Sequence, residues 1–163
     1  MVLVIILLSK TIAIFDFNTI NCNKNTSKIV CSVISSELLK SGQFTLVERQ
    51  ELEKILAEQK LALTGLLDTV AIKVGKLAGA DYILTGDITL SGKIYIINMK
   101  IIECESGKII FTDFIRTRNL SLGAKKLILN FLYPQKEEKM SFIFPMVMIS
   151  SLILFGIFVY FLF

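Results

Sequence analysis

The sequence predicts an α/β fold: a two-layer domain whose mixed sheet ends in a three-stranded antiparallel meander with helices packed on one face, plus one C-terminal transmembrane helix. Three observations carry this expectation. Gly79 to Thr117 reads as three apolar runs parted by two copies of Ser-Gly-Lys-Ile. Upstream, residues 11–78 alternate strand-like and helix-like periodicities. Downstream, residues 141–163 contain no charged side chain.

Composition bounds the rest. The chain has 163 residues, which suits one compact domain with additional segments. It is 53% hydrophobic, with a mean hydropathy of +0.66, above an ordinary soluble domain, and the excess lies at the two ends. The net charge of +4 comes mainly from scattered lysines with no basic, aromatic-studded cluster, so no nucleic-acid partner is expected. Histidine is absent, which removes Ser-His-Asp and Cys-His catalysis. No phosphate loop or dinucleotide glycine motif follows a strand, so no cofactor is expected. Cys22, Cys31 and Cys104 lack zinc spacing, and their odd number fits unpaired thiols, with a Cys22–Cys31 bridge as the alternative. Asp16, Asp81 and Asp87 could gather at strand ends around a metal, but each is better explained by a turn or cap. No catalytic or metal-binding residue is assigned.

Met1 to Leu8, MVLVIILL, has the apolar part of an export leader but no basic residue before it, and equally suits an edge strand. Thr11 to Phe17 is a strand, with Ile12 and Ile14 opposite Ala13, Phe15 and Phe17. Asp16 near its end is expected to bond the amides of a loop over Asn18 to Ser27. Thr26 or Ser27 is the expected helix cap, and Val30, Val33, Ile34 and Leu38 then recur at helical spacing up to Ser41-Gly42. Phe44 to Glu48 is a short strand. Arg49 to Leu63 is a helix with Leu52, Ile55, Leu56, Gln59 and Leu63 on one face. Asp68 caps a third helix whose Val70, Val74, Leu77 and Ala78 point inward, and Gly79 closes it.

Tyr82 to Leu90, Lys93 to Glu103 and Lys108 to Thr117 form the meander, reversing at Ser91-Gly92 and Ser106-Gly107. On its middle strand Tyr95, Ile97, Met99 and Ile101 share one face, while Ile94, Ile96 and Ile102 share the other with Asn98 and Lys100. The first face is core; the second is half-apolar and free to meet something else. Leu122 to Tyr133 is an amphipathic helix leading out of the domain, which spans residues 11–133 after the apolar segment 1–10. A polar linker over 134–140 precedes the expected anchor, residues 141–163. About 20 apolar residues cross a bilayer, and Phe142, Ile143, Leu152, Leu154, Phe155, Phe158 and Phe163 are among those that would face lipid.

Four segments together carry a family pattern: TIAIFDF at 11–17, FTLVERQELEKILAEQ at 44–59, GADYILTGDI at 79–88 and SGKII at 106–110. This pattern resembles the curli production assembly/transport family, itself related in pattern to lipoprotein activators of penicillin-binding proteins. Asp16, Glu48, Arg49, Glu58, Gln59, Gly79, Asp81, Gly86 and Gly107 are the positions that carry the likeness. The resemblance implies an α/β domain acting without catalysis in the bacterial envelope, in secretion or beside wall-building enzymes. Two departures stand out. The tight turns leave no long hairpin arms for a pore, and no lipid-attachment cysteine follows a leader.

The expected function is therefore a membrane-anchored interaction module of the cell envelope. Its partners would be lipid, through the tail helix, and an envelope protein, with self-association open. Bracing a strand–helix junction is the expected role of Glu48, Arg49 and Glu58, with partner contact as the alternative. The alternative reading is a cytoplasmic tail-anchored adaptor, because Lys125, Lys126, Lys136 and Lys139 precede the anchor and nothing charged follows it.

Overall fold

The structure is a computed structural model that describes residues 9–59 and 68–134. The elements are β1 (Lys10–Ile14), β2 (Asn18–Ile20), α1 (Asn25–Ser41), β3 (Phe44–Leu46), α2 (Arg49–Glu58), α3 (Asp68–Leu77), β4 (Tyr82–Ser91), β5 (Ile94–Glu103), β6 (Ile109–Thr117) and α4 (Leu120–Leu132). They build one six-stranded mixed sheet in the order β3-β1-β4-β5-β6, with β2 also on β4. β1 pairs in parallel with both β3 and β4, as strands joined through helices do.

The meander forms as its alternation predicts. β4 and β5 pair along their full length from Tyr82↔Glu103 to Ser91↔Ile94, and β6 adds antiparallel to β5. Gly92 at φ 60° and Gly107 at φ 70° occupy the left-handed conformation that tight reversals need and that a β-carbon disfavours.

Period-2 alternation divides the apolar residues between the two faces. Ile12, Leu84, Ile88, Ile97, Met99 and Ile101 pack with Val30, Ile34 and Leu38 of α1 and with Ala124, Leu127 and Ile128 of α4. Ala13, Phe15, Ile83 and Ile102 point the other way, against Leu52 and Leu56 of α2 and Ala71 and Val74 of α3. Helices thus cover both faces, which corrects the expected one-sided layer. The reason lies in Ala13, Phe15 and Ile83, each at most 1% exposed. This second apolar set needs its own cover.

Four local expectations change. Asn18–Ile20, expected as loop, is a strand parallel to β4. Ser27 lies inside α1, and its Oγ accepts from the Phe17 amide at 2.8 Å; the first helical amide, of Asn25, donates instead to Asn23 Oδ1 at 2.9 Å. Leu77 is 56% exposed, because Ala71, Val74 and Gly75 form the buried stripe of α3. α4 packs into the first core rather than leading away, and Asn119 Oδ1 caps it by accepting from the Leu122 amide at 3.1 Å. Among the described residues no helix is long and apolar enough to cross a membrane. The expected anchor at 141–163, with Phe142, Ile143, Leu152, Leu154, Phe155, Phe158 and Phe163, lies outside them.

Candidate functional site

The site is built around a break in one strand. Ile14 pairs with Leu84 and Asn18 with Asp87, so four steps on the β1–β2 strand oppose three on β4. The extra residue is a bulge, and it reverses which face each following side chain meets. Phe17, expected beside Phe15, therefore enters the opposite core and is fully buried there. Its ring lies over Gly86: a β-carbon at residue 86 would meet Phe17 Cε1 at 2.6 Å and the Asn98 carbonyl oxygen at 2.0 Å. Glycine is required here by close approach.

The bulge aims Asp16 at the β3–α2 junction rather than at the following loop. Arg49 Nη1 and Nη2 donate to its two carboxylate oxygens at 2.9 and 2.7 Å, and Nε donates to Glu53 at 3.0 Å. The bond to Asp16 pushes the Arg49 pKa further up from its already high value. This two-pronged pair locks strand, bulge and helix together. Beneath it, Cys31 Sγ lies 3.7 Å from the Phe15 carbonyl oxygen, and burial pushes its thiol pKa up. All three cysteines are free.

Arg49 thus links the start of α2 to the bulge through Asp16. The Glu48 side chain is exposed, while its carbonyl accepts from the amides of Glu51 and Leu52 at 3.1 and 3.3 Å. Glu58 and Gln59 are exposed at the end of α2. Asp81 stands at the opposite end of β4, where its Oδ2 accepts from the Thr11 amide at 2.8 Å. Gly79, at φ +67°, and Gly107 lie at that same end. Asp16 and Gly86 come together; Asp81, Gly79 and Gly107 stay apart from them. Asp16 and Asp87 line a cavity of about 180 Å³ with Asn18, Asp68, Thr85 and Lys100. Lys100 Nζ bonds Asp68 at 2.7 Å, tying the start of α3 to the sheet. Among the described residues no group of three acidic or cysteine side chains is placed to hold a metal.

Among the described residues, nothing covers the second sheet face beyond α3. Register places Ile20, Thr89, Ile96 and Arg116 in one row, and Asn18, Asp87, Asn98 and Phe114 in the next. Ile20 is 43% exposed, Ile94 40% and Phe114 59%. The sequence located Ile94, Ile96, Asn98 and Lys100 on this face but missed Ile20, Phe114 and Arg116. Alternation along β6 was the available signal for Phe114 and Arg116. The bulge concealed Ile20.

A mixed sheet with a bulged first strand, a bracing arginine after β3 and a terminal meander defines the class of the domain. The model of the curli production assembly/transport component CsgG matches residues 2–92, more than half of the chain, and the chain belongs to that family. Among solved structures, the C-terminal domain of LpoB from Salmonella enterica is similar with a TM-score of 0.59 at 19% identity, over 68% of this chain and 84% of that one. Lipoprotein GNA1162 from Neisseria meningitidis is similar with a TM-score of 0.56 at 11% identity, over 90% of this chain and 96% of that one. A PelC dodecamer from Paraburkholderia phytofirmans gives 0.52 at 13% identity, over 77% and 88%. At these identities the likeness shows the fold. No curated protein matches the chain.

Proposed function

We propose that this chain is a membrane-anchored, non-enzymatic interaction module of the bacterial cell envelope, accessory to secretion and assembly or to wall synthesis, and not itself a pore. The open sheet face is the observation that carries this reading. Among the described residues, the bulged, braced and doubly covered sheet leaves one part of one face uncovered, and there Ile20, Ile94 and Phe114 are exposed beside polar neighbours. Exposed apolar groups grouped on a rigid sheet are a contact surface. Family membership supports the envelope setting. The β4–β5 and β5–β6 links are short turns without the ~10-residue alternating arms of a membrane barrel.

The uncharged run 141–163 is the anchor in this reading, and it raises the effective concentration of the domain for any membrane partner. Flotation with lipid vesicles tests it. The full chain floats, and the double variant Leu152→Arg/Phe155→Arg stays in the dense fraction, because each central arginine costs about 2.5–3.5 kcal/mol of insertion. Equal flotation of both removes the anchor from the account. Side is tested separately, with a membrane-impermeant maleimide on intact cells. Labelling at half-buried Cys22 places the domain outside the inner membrane; protection until lysis places it in the cytoplasm, as the lysines before the anchor would favour.

A further inference from the structure

The described chain enters and leaves the domain at one pole. Ser9 Oγ bonds Thr45 Oγ1 at 2.8 Å and Lys10 pairs with Phe44. At the other terminus of the domain, the Phe131 ring lies 5.6 Å from that of Phe44 and 5.3 Å from that of Phe111. Residues 9 and 134 are thus both near the start of β4 and the end of β5. The two apolar stretches of the sequence, 1–8 and 141–163, both connect to this pole. At about 3.4 Å per residue, the ten residues of β4 put the Gly92-Lys93 turn about 30 Å away.

That far pole has its own chemistry. Ile94, Ile96, Ile20 and Phe114 form its apolar part on the open face. Lys93, Arg116 and Arg118 are exposed around them, and among the described residues none of the three is in an ion pair. The one acid of the two rows, Asp87, accepts from the neutral amide Nδ2 of Asn98 and, among the described residues, is in no ion pair. On its turn side the surface is apolar with a cationic rim, an arrangement that favours acidic partners, and its inner edge borders the cavity lined by Asp16, Asp68 and Asp87.

Resting on the tethered-module reading above, we infer that this hairpin pole docks an acidic, apolar-studded segment of a partner protein, presented away from the bilayer. Reach rules out an end-on approach of this pole to the bilayer. Residues 135–140 span at most about 20 Å when fully extended, shorter than the strands that separate the two poles, so the tethered domain cannot invert. The tail of this chain is excluded by the same distance. β6 adds a means of capture, since among the described residues it is an edge strand on which an extended segment can pair.

The test uses the full chain in uncharged detergent micelles and two fluorescent decapeptides, one alternating Val and Glu and the other Val and Lys. The Val-Glu peptide binds at least tenfold more tightly by anisotropy. Arg116→Glu/Arg118→Glu abolishes that preference, and so does Phe114→Ser, whereas the control pair Lys73→Glu/Lys126→Glu retains it. Equal binding of both peptides, or loss in the control pair, overturns the proposal. A second arm reads orientation in vesicles containing brominated lipid, on a Cys22→Ala background. A fluorophore at Lys10→Cys is quenched and one at Ile94→Cys is not; equal quenching means that the pole meets lipid, which also overturns the proposal. If light scattering shows an oligomer that Arg116→Glu/Arg118→Glu dissociates, the occupant is a second copy and the acidic partner is wrong. Because the peptide arm is read in micelles, its failure is distinct from failure of the anchor.

Discussion

Gly86→Ala is the sharpest perturbation of the bulge. On propensity alone the change should help, since glycine inside a strand costs roughly 0.5–1 kcal/mol relative to alanine. The geometry reverses that sign. The added methyl would lie 2.0 Å from the Asn98 carbonyl oxygen and 2.6 Å from the Phe17 ring, where ordinary contact begins at 3.4 Å. Relief requires β4 and β5 to part by roughly 1 Å at the Gly86↔Met99 register, or Phe17 to leave a fully buried position. Overpacking of this kind costs about 1–3 kcal/mol, and a weakened ladder bond adds about 1 kcal/mol. A loss of about 3 kcal/mol is expected in urea unfolding of the full chain in micelles, followed by far-ultraviolet circular dichroism. Phe17→Leu relieves only the ring contact, so the double variant should recover part of the loss and reveal coupling between the two sites. A change below 1 kcal/mol, or strict additivity, would refute the placement of Phe17 over Gly86.

Asp16→Asn breaks the two-pronged bond to Arg49 and should cost about 1–2 kcal/mol, reduced from a buried pair because Arg49 is 45% exposed. Arg49→Lys should behave alike, since a lysine cannot make both bonds. Glu37 is held below the usual carboxylate range first by its bond to Lys40 and then by Lys125 of α4. Its contribution is therefore present above the ordinary value of about 4.3 and fades as pH falls through the lowered folded value. Glu37→Gln should flatten that part of the acid limb in a pH series of thermal melts. Thiol alkylation of the folded chain should modify half-buried Cys22 first, and Cys31 and Cys104 only on unfolding, since burial pushes both of their pKa values up.

Much of this architecture is legible in the residues because local patterns and tertiary needs agree there. The meander follows from period-2 runs and two Ser-Gly turns, and α1 from Val30, Ile34 and Leu38 at helical spacing. What escaped depends on a single inserted step. Strict alternation assigns Phe17 to the side of Phe15, and nothing within TIAIFDFN marks where a strand pairs four residues against three. The bulge is fixed by its neighbours: by the space that Gly86 leaves and by the Ser27 hydroxyl that accepts the Phe17 amide. Asp16 was likewise visible as a polar residue at a strand end, but its partner lies 33 positions away. The second helical layer was missed because Ala13 and Ile83 look like ordinary strand residues until both faces are counted. The open face was half-legible. Ile94 and Ile96 declared it, while Ile20 depended on the unseen shift.

A photoreactive phenylalanine analogue in place of Phe114, with another at Ile29 on α1, tests the contact surface most directly in native membranes. Both positions are exposed, at 59% and 46%, so accessibility alone does not separate them. The account predicts one discrete adduct from residue 114, lost when Arg116→Glu is added, and none from residue 29. Equal adducts from both positions, or one from residue 29 alone, would contradict it.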